Sequence, residues 1–187
     1  MMKLVKLFIH HQTLRKNNML LDFAAYLRDA RTMFGAVSGE WERPIKRDDM
    51  ILNDYLNLDI TLSQLMVQTQ TVNADTPYAV QTYTNQDLVD AYAQALTQFL
   101  LISLKQQWTH LMVLEDADLV AFNRFPQRNL MHQFDGIKTM LLNSYHQKRQ
   151  DDFSHAWRSF LKLGLNELAL EPEKLDAAVK RTVFVEN

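Results

Sequence analysis

The sequence predicts an all-α protein, a single domain over residues 1–187 built as a bundle of about five to seven helices. Three observations carry that expectation. Apolar residues recur at three- and four-residue spacing along most of the chain, the period of a helix with one buried face. Four glycines and four prolines in 187 residues leave too few turns for a protein of many short strands. Nine methionines, with 47% apolar and 22% charged residues, suit helix-on-helix packing around one core, which a chain of this length can bury.

Residues 2–34 read as one or two helices, with Leu4, Leu7, Phe8 and His11 on one apolar face and Leu20, Phe23, Ala24 and Leu27 on the next. "KNN" at 16–18 marks a break or kink between them. "GAVSGEWERP", 35–44, reads as a loop from its two glycines and Pro44. The second main helix covers 50–72, and Ile51, Tyr55, Leu58, Leu62 and Leu65 form its apolar stripe. "NADTPYAVQTYT", 73–84, is the longest loop. Thr84 then opens "TNQD", a capping box with Asp87 in place of the usual glutamate. The helix that follows runs to about residue 108, with Leu88, Tyr92, Ala95, Leu96, Phe99 and Leu100 facing inward. "LEDADLVAFNRFPQ", 114–127, interrupts the pattern. Helices at 128–148 and 152–165 are divided by "QKRQDD", and Gly164 is placed as the C-cap of the second. A last helix starts at Pro172, a favourable first-turn residue, and reaches about residue 184.

Several chemistries are excluded. Without cysteine there are no disulfides, iron–sulfur clusters, thiolate zinc sites or cysteine nucleophiles, a composition that fits the cytoplasm. Glycines at 35, 39, 136 and 164 cannot spell a GxGxxG or GxxxxGK phosphate loop. The histidines at 10, 11, 110, 132, 146 and 155 include no HxxxH pair, and no GxSxG elbow occurs. A net charge of −2 with 20 scattered basic residues argues against a nucleic-acid polymer or an anionic membrane as partner. No apolar run is long enough to span a bilayer, and no leader peptide is expected at the start. Glu115, Asp116 and Asp118 form the densest acidic cluster, which reads as a helix cap or solvated loop ahead of a cation grip.

One pattern stands apart. On the second main helix Thr61, Gln64 and Gln68 share a stripe at offsets of three and seven, and every member is polar and uncharged. On the third, Ala91, Gln94 and Gln98 repeat the offsets. Such faces could meet as an internal amide network or be the solvated sides of two amphipathic helices. In many helical-bundle enzymes they are instead where inward carboxylates hold divalent metal, which for Mg²⁺ requires at least one or two carboxylates.

Three segments resemble the dimeric all-α dUTPases, part of the all-α NTP pyrophosphatase group that includes the MazG-like enzymes. "LNLDITLSQLMVQTQ", 56–70, is similar to the family helix LALxxELxELxNE, with Leu56, Leu58, Leu62 and Leu65 in the places of its leucines. "LVDAYAQALTQFLLISLKQQW", 88–108, is similar to LxEExxDxLHFxLSL followed by tryptophan, through Tyr92, Leu96, Phe99, Leu100, Ser103, Leu104 and Trp108. "FLKLG", 160–164, with the apolar helix through Leu175 and Ala178, resembles the C-terminal block. The match runs from about residue 50 to the end.

The resemblance implies an all-α NTP pyrophosphatase-like bundle, a homodimer, that hydrolyses dUTP or dUDP to dUMP with Mg²⁺. In that family an ExxE pair and an ExxD pair hold the metals that clamp the phosphates. Here the first pair lands on Thr61 and Gln64 and the second on Ala91 and Gln94, none of them a carboxylate. A later glutamate becomes Gln68, the family histidine becomes Thr97, and a lysine–asparagine motif falls near Thr182 and Val183. Asp90, just before the second pair, keeps its charge. Sliding either helix by one turn brings in no matching carboxylate pair. The expectation is therefore a relative without a catalytic metal site or required cofactor, working by binding a nucleotide or a protein. The alternative is an active Mg²⁺-dependent dUTP or NTP diphosphatase whose rearranged site uses Asp90 and "EDAD".

Overall fold

The computed structural model describes residues 21–71, 83–125 and 129–184. Among them lie seven α-helices and no strand, as the periodicity predicts. These are α1 (Phe23–Gly39), α2 (Arg47–Gln68), α3 (Asn85–Gln106), α4 (Asp116–Ala121), α5 (Leu130–Gln147), α6 (Gln150–Lys162) and α7 (Pro172–Val183). The face expected on Leu4, Leu7, Phe8 and His11, the break at 16–18, and most of the loop expected at 73–84 lie outside the described residues.

α3 is the central helix: eleven of its residues are buried, and it packs against α1, α2 and α7. Of its predicted face, Tyr92, Ala95, Leu96, Phe99 and Leu100 are fully buried and Leu88 is partly buried against the core. The predicted face of α2 is inside, where Ile51, Tyr55, Leu58, Leu62 and Leu65 are all buried. Phe99 joins α3 to α6, its ring centroid 4.9 Å from Phe160 and 5.4 Å from Trp157. Phe23 of α1 meets Trp157 edge-on at 5.5 Å. The indole is fully buried, and its Nε1 finds an acceptor in the Met112 carbonyl at 3.2 Å, so this aromatic centre leaves no indole donor unpaired.

Local chemistry sets the helix ends. Asp22 caps α1, its carboxylate accepting from Ala25 N at 2.9 Å. The predicted Thr84–Asp87 capping box is present at the start of α3. α3 stops at Gln106 because Gln107 turns left-handed (φ 64°) and Trp108 N returns to the Ser103 carbonyl at 2.8 Å. Pro172 opens α7 as expected.

Two expectations are corrected. The loop placed at 35–44 is helical to Gly39. A methyl at Gly35 would meet nothing within 4 Å, so the residue is an exposed helical glycine costing about 1 kcal/mol. That cost is offset where Phe34, the preceding residue, packs edge-on to Trp41 at 6.0 Å under the Lys105 ammonium, 4.5 Å from its ring. Gly164 is not a left-handed C-cap. It lies in a π-helical turn, Leu163–Glu167, that prolongs α6, and no glycine among the described residues has positive φ. Its missing side chain is required by the Tyr92 ring, which a Cβ there would approach to 2.3 Å. The left-handed residue is Ala169 instead (φ 49°).

Candidate functional site: the cleft between the second and third helices

α2 and α3 run antiparallel. At one end Lys105 Nζ bonds the Asp54 carboxylate at 2.6 Å and Arg47 Nη2 bonds the Lys105 carbonyl at 2.7 Å. At the other end the helices part over a cleft of about 550 Å³. One wall is Ser63, Gln64, Val67 and Gln68 of α2, the other is Asp87, Asp90, Ala91 and Gln94 of α3, and Tyr83 lies at its edge.

The positions singled out in the sequence thus largely converge. Gln64, Gln68, Asp90, Ala91 and Gln94 all line this cleft. Thr61 does not. Its short side chain is turned back on its own helix, where the hydroxyl donates within reach of the Asn57 and Leu58 carbonyls at 3.1 and 3.0 Å. Gln98, the last member of the second stripe, lies too far along α3 to line the cleft. Thr97 is buried and donates to the Ala93 carbonyl at 2.9 Å. Thr182 donates to Ala178 O at 3.0 Å, and Val183 is buried. The stripe excludes Ser63 and Val67, the first because it lies off the offsets of three and seven and the second because it is apolar. The wall is a face at offsets of one, four and five from Ser63, and a wider helical window would have included both.

The two carboxylates in the cleft are both engaged. Asp87 accepts from Thr84 N and Thr84 Oγ1, each at 2.7 Å. Those bonds, the backbone one first, hold its pKa below the ordinary aspartate value. Asp90 Oδ1 accepts from Gln86 Nε2 at 2.9 Å and from Arg181 Nη2 of α7 at 2.8 Å. On the opposite wall Lys138 of α5 donates to Ser63 Oγ at 2.7 Å and pairs with Asp59 at 2.9 Å. Neither cation has a short-range signature in the sequence, since each arrives from a distant helix. The amides supply the remaining polarity. Gln68 Oε1 is buried and accepts no hydrogen bond among the described residues. An unpaired buried acceptor costs about 1–3 kcal/mol.

Among the described residues no group of three or more histidine, aspartate or glutamate side chains could hold a metal, and both cleft carboxylates already serve other partners. "EDAD" is elsewhere and serves as the cap of α4, where Asp118 Oδ2 accepts from Glu115 N at 3.2 Å and Oδ1 faces Arg158 at 3.7 Å.

No family model, no curated protein and no solved structure matches this chain.

Proposed function

We propose that this chain is a non-catalytic relative of the dimeric all-α dUTPases that binds a nucleotide without hydrolysing it. One observation carries the reading. Gln64, Ala91 and Gln94, three of the four positions where the resemblance expects metal-binding carboxylates, line one cleft, and their side chains are neutral. Gln64, Gln68 and Gln94 offer amide donors and acceptors of the kind that read the edge of a base or a sugar hydroxyl. They supply no charge to hold a metal against a triphosphate. In the alternative reading, an Mg²⁺-dependent diphosphatase, Asp90 and "EDAD" supply the acidic groups, of which only Asp90 lines this cleft. Asp90 would first have to release Arg181.

Purified protein is incubated with dUTP, dCTP and other nucleotides in Mg²⁺ or Mn²⁺, and pyrophosphate is measured. The same protein is titrated calorimetrically with dUMP and dUTP. We expect no pyrophosphate above the protein-free control, and saturable binding weakened about tenfold by Gln68→Leu, the loss of one hydrogen bond. Turnover that disappears in Asp90→Asn refutes the non-catalytic reading. Absence of nucleotide binding refutes the nucleotide part.

The same reading includes a homodimer in the cytoplasm. The outer face of α2 supports the dimer, since Leu52, Leu56 and Ile60 recur at four-residue spacing with 37%, 56% and 54% of their surface exposed. Sedimentation of the parent beside Leu56→Asp tests it, and a monomeric parent rejects it. No described helix is long and apolar enough to cross a membrane.

A further inference from the structure

A second cavity, of about 320 Å³, shares no residue with the α2–α3 cleft. It opens where α5 and α6 face the single turn Phe122–Arg124 that follows α4. Its body is apolar: Phe122 and Ile137 are buried, Met140 is half-buried, and Phe125 stands 60% exposed at the mouth. The space beside Gly136 is open, since a Cβ there would meet nothing within 4 Å. Among the described residues that line it there is no carboxylate.

Two polar features point to what such a space would take. Gln133 is 92% buried by its 8% exposure, lines the cavity, and its amide Nε2 has no acceptor among the described residues. Burying a donor without an acceptor costs about 1–3 kcal/mol, so the position calls for an oxygen. The second is the cationic side of the mouth. Arg158 of α6 lies there with Ser159, and its nearest carboxylate, Asp118, is 3.7 Å away and outside the cavity lining. That separation exceeds a good charge-assisted hydrogen bond and leaves guanidinium donors for a bidentate partner. Lys162 contributes less, because Glu167 holds it in an ion pair. His132 and His155 complete the rim with ring nitrogens.

We propose that this cavity binds a small anion with a flat apolar body, an aromatic carboxylate. The ring lies between Phe122, Ile137 and the gap over Gly136, and the carboxylate meets Arg158 and the Gln133 amide. The volume is at the small end of ligand pockets, which suits one or two fused rings. The site is independent of any nucleotide in the α2–α3 cleft.

The probe is naphthalene-2-carboxylate, titrated into the isotopically labelled full chain, with the Gln133 side-chain amide and the His155 ring followed by NMR. The neutral 2-naphthamide is titrated alongside. We expect saturable shifts of both signals with the carboxylate, at least fivefold weaker binding of the naphthamide, and at least fivefold weaker carboxylate binding in Arg158→Gln. In Gly136→Leu, whose side chain enters the empty space, the shifts vanish while the rest of the spectrum is kept. Should Gly136→Leu fail to fold, Met140→Trp fills the same cavity from another side and is expected to give the same loss. No saturable shift in the parent overturns the proposal, because a bound water then satisfies Gln133. Equal binding of the naphthamide or of the Arg158→Gln variant overturns the anionic part, and shifts that survive both cavity-filling variants overturn the location.

Discussion

Replacing Gly164 by alanine separates two explanations of that glycine. If it were a C-cap, alanine would be disfavoured for its left-handed backbone and asparagine, which tolerates that region, would be nearly harmless. The structure gives a different cause. A Cβ at Gly164 would lie 2.3 Å from Tyr92 Cζ, 2.4 Å from its Oη and 2.5 Å from Cε2, where ordinary contacts begin at 3.4 Å. The ring cannot simply retreat. It is fully buried, stacked on Phe160 at 4.2 Å with planes 8° apart, and anchored by its hydroxyl donating to the Phe160 carbonyl at 2.8 Å. Overpacking of this kind costs about 1–3 kcal/mol. Pulling the buried hydroxyl off its acceptor adds about 1–2 kcal/mol. A loss near 3 kcal/mol in a chain of 187 residues corresponds to a fall in Tm of roughly 6–12 °C. The bulkier Gly164→Asn should fall further. Tyr92→Leu removes the ring atoms that clash, so the double variant should be less destabilised than the sum of the singles by about 1 kcal/mol or more. Thermal and urea unfolding followed by circular dichroism measure the parent and all four variants. An alanine variant within 2 °C of the parent, an asparagine variant as stable as the alanine one, or strict additivity with Tyr92→Leu would each refute the close-packing explanation.

Further outcomes are expected at two places, the Asp54–Lys105 pair and the start of α3. The Asp54–Lys105 pair is buried, with 5% and 10% of its side chains exposed, and desolvation, outweighing the lysine, pushes the Asp54 pKa up. Lys105→Met should therefore cost about 3 kcal/mol or more in urea unfolding, while Asp54→Leu with Lys105→Met should return to within about 1 kcal/mol of the parent. Because the folded pKa lies above the unfolded value of 3.8, the Asp54 contribution is fully present below that pH and is lost as pH rises through the folded value. Parent stability relative to Asp54→Asn should thus decline from pH 3 toward neutrality, and a rise would contradict the sign. At the start of α3, Thr84→Ala should destabilise by about 1 kcal/mol, read as a lower midpoint in urea. Asp87 has a lowered pKa, so its support of that helix is present above pH 3.8 and disappears as the pH falls through its folded value, and the effect of Thr84→Ala should shrink with it.

What the sequence revealed and what it hid divide along range. The buried stripes of α2 and α3 were legible because each is a repeated local period, and Ile51, Tyr55, Leu58, Leu62 and Leu65 all lie inside as that period requires. The Thr84 box and Pro172 were legible because a cap is decided within four residues. α1 runs past the predicted end because a glycine's propensity cost is visible in sequence and the Phe34–Trp41 and Phe34–Lys105 contacts that outweigh it are not. The place of Gly164 in the pattern points to a helix end, while the reason for it is a ring from α3.

The cleft follows the same division, and that bears on its chemistry. From the chain alone Asp87 and Asp90 are two carboxylates one helical turn apart, the spacing at which a pair could share a cation. In the fold they have already been used: Asp87 by the backbone of its own helix start, Asp90 by Arg181 arriving from α7. The amides have not, and Gln68 keeps a buried carbonyl oxygen without a donor. The interactions still open in this cleft are therefore neutral hydrogen bonds rather than charge neutralisation.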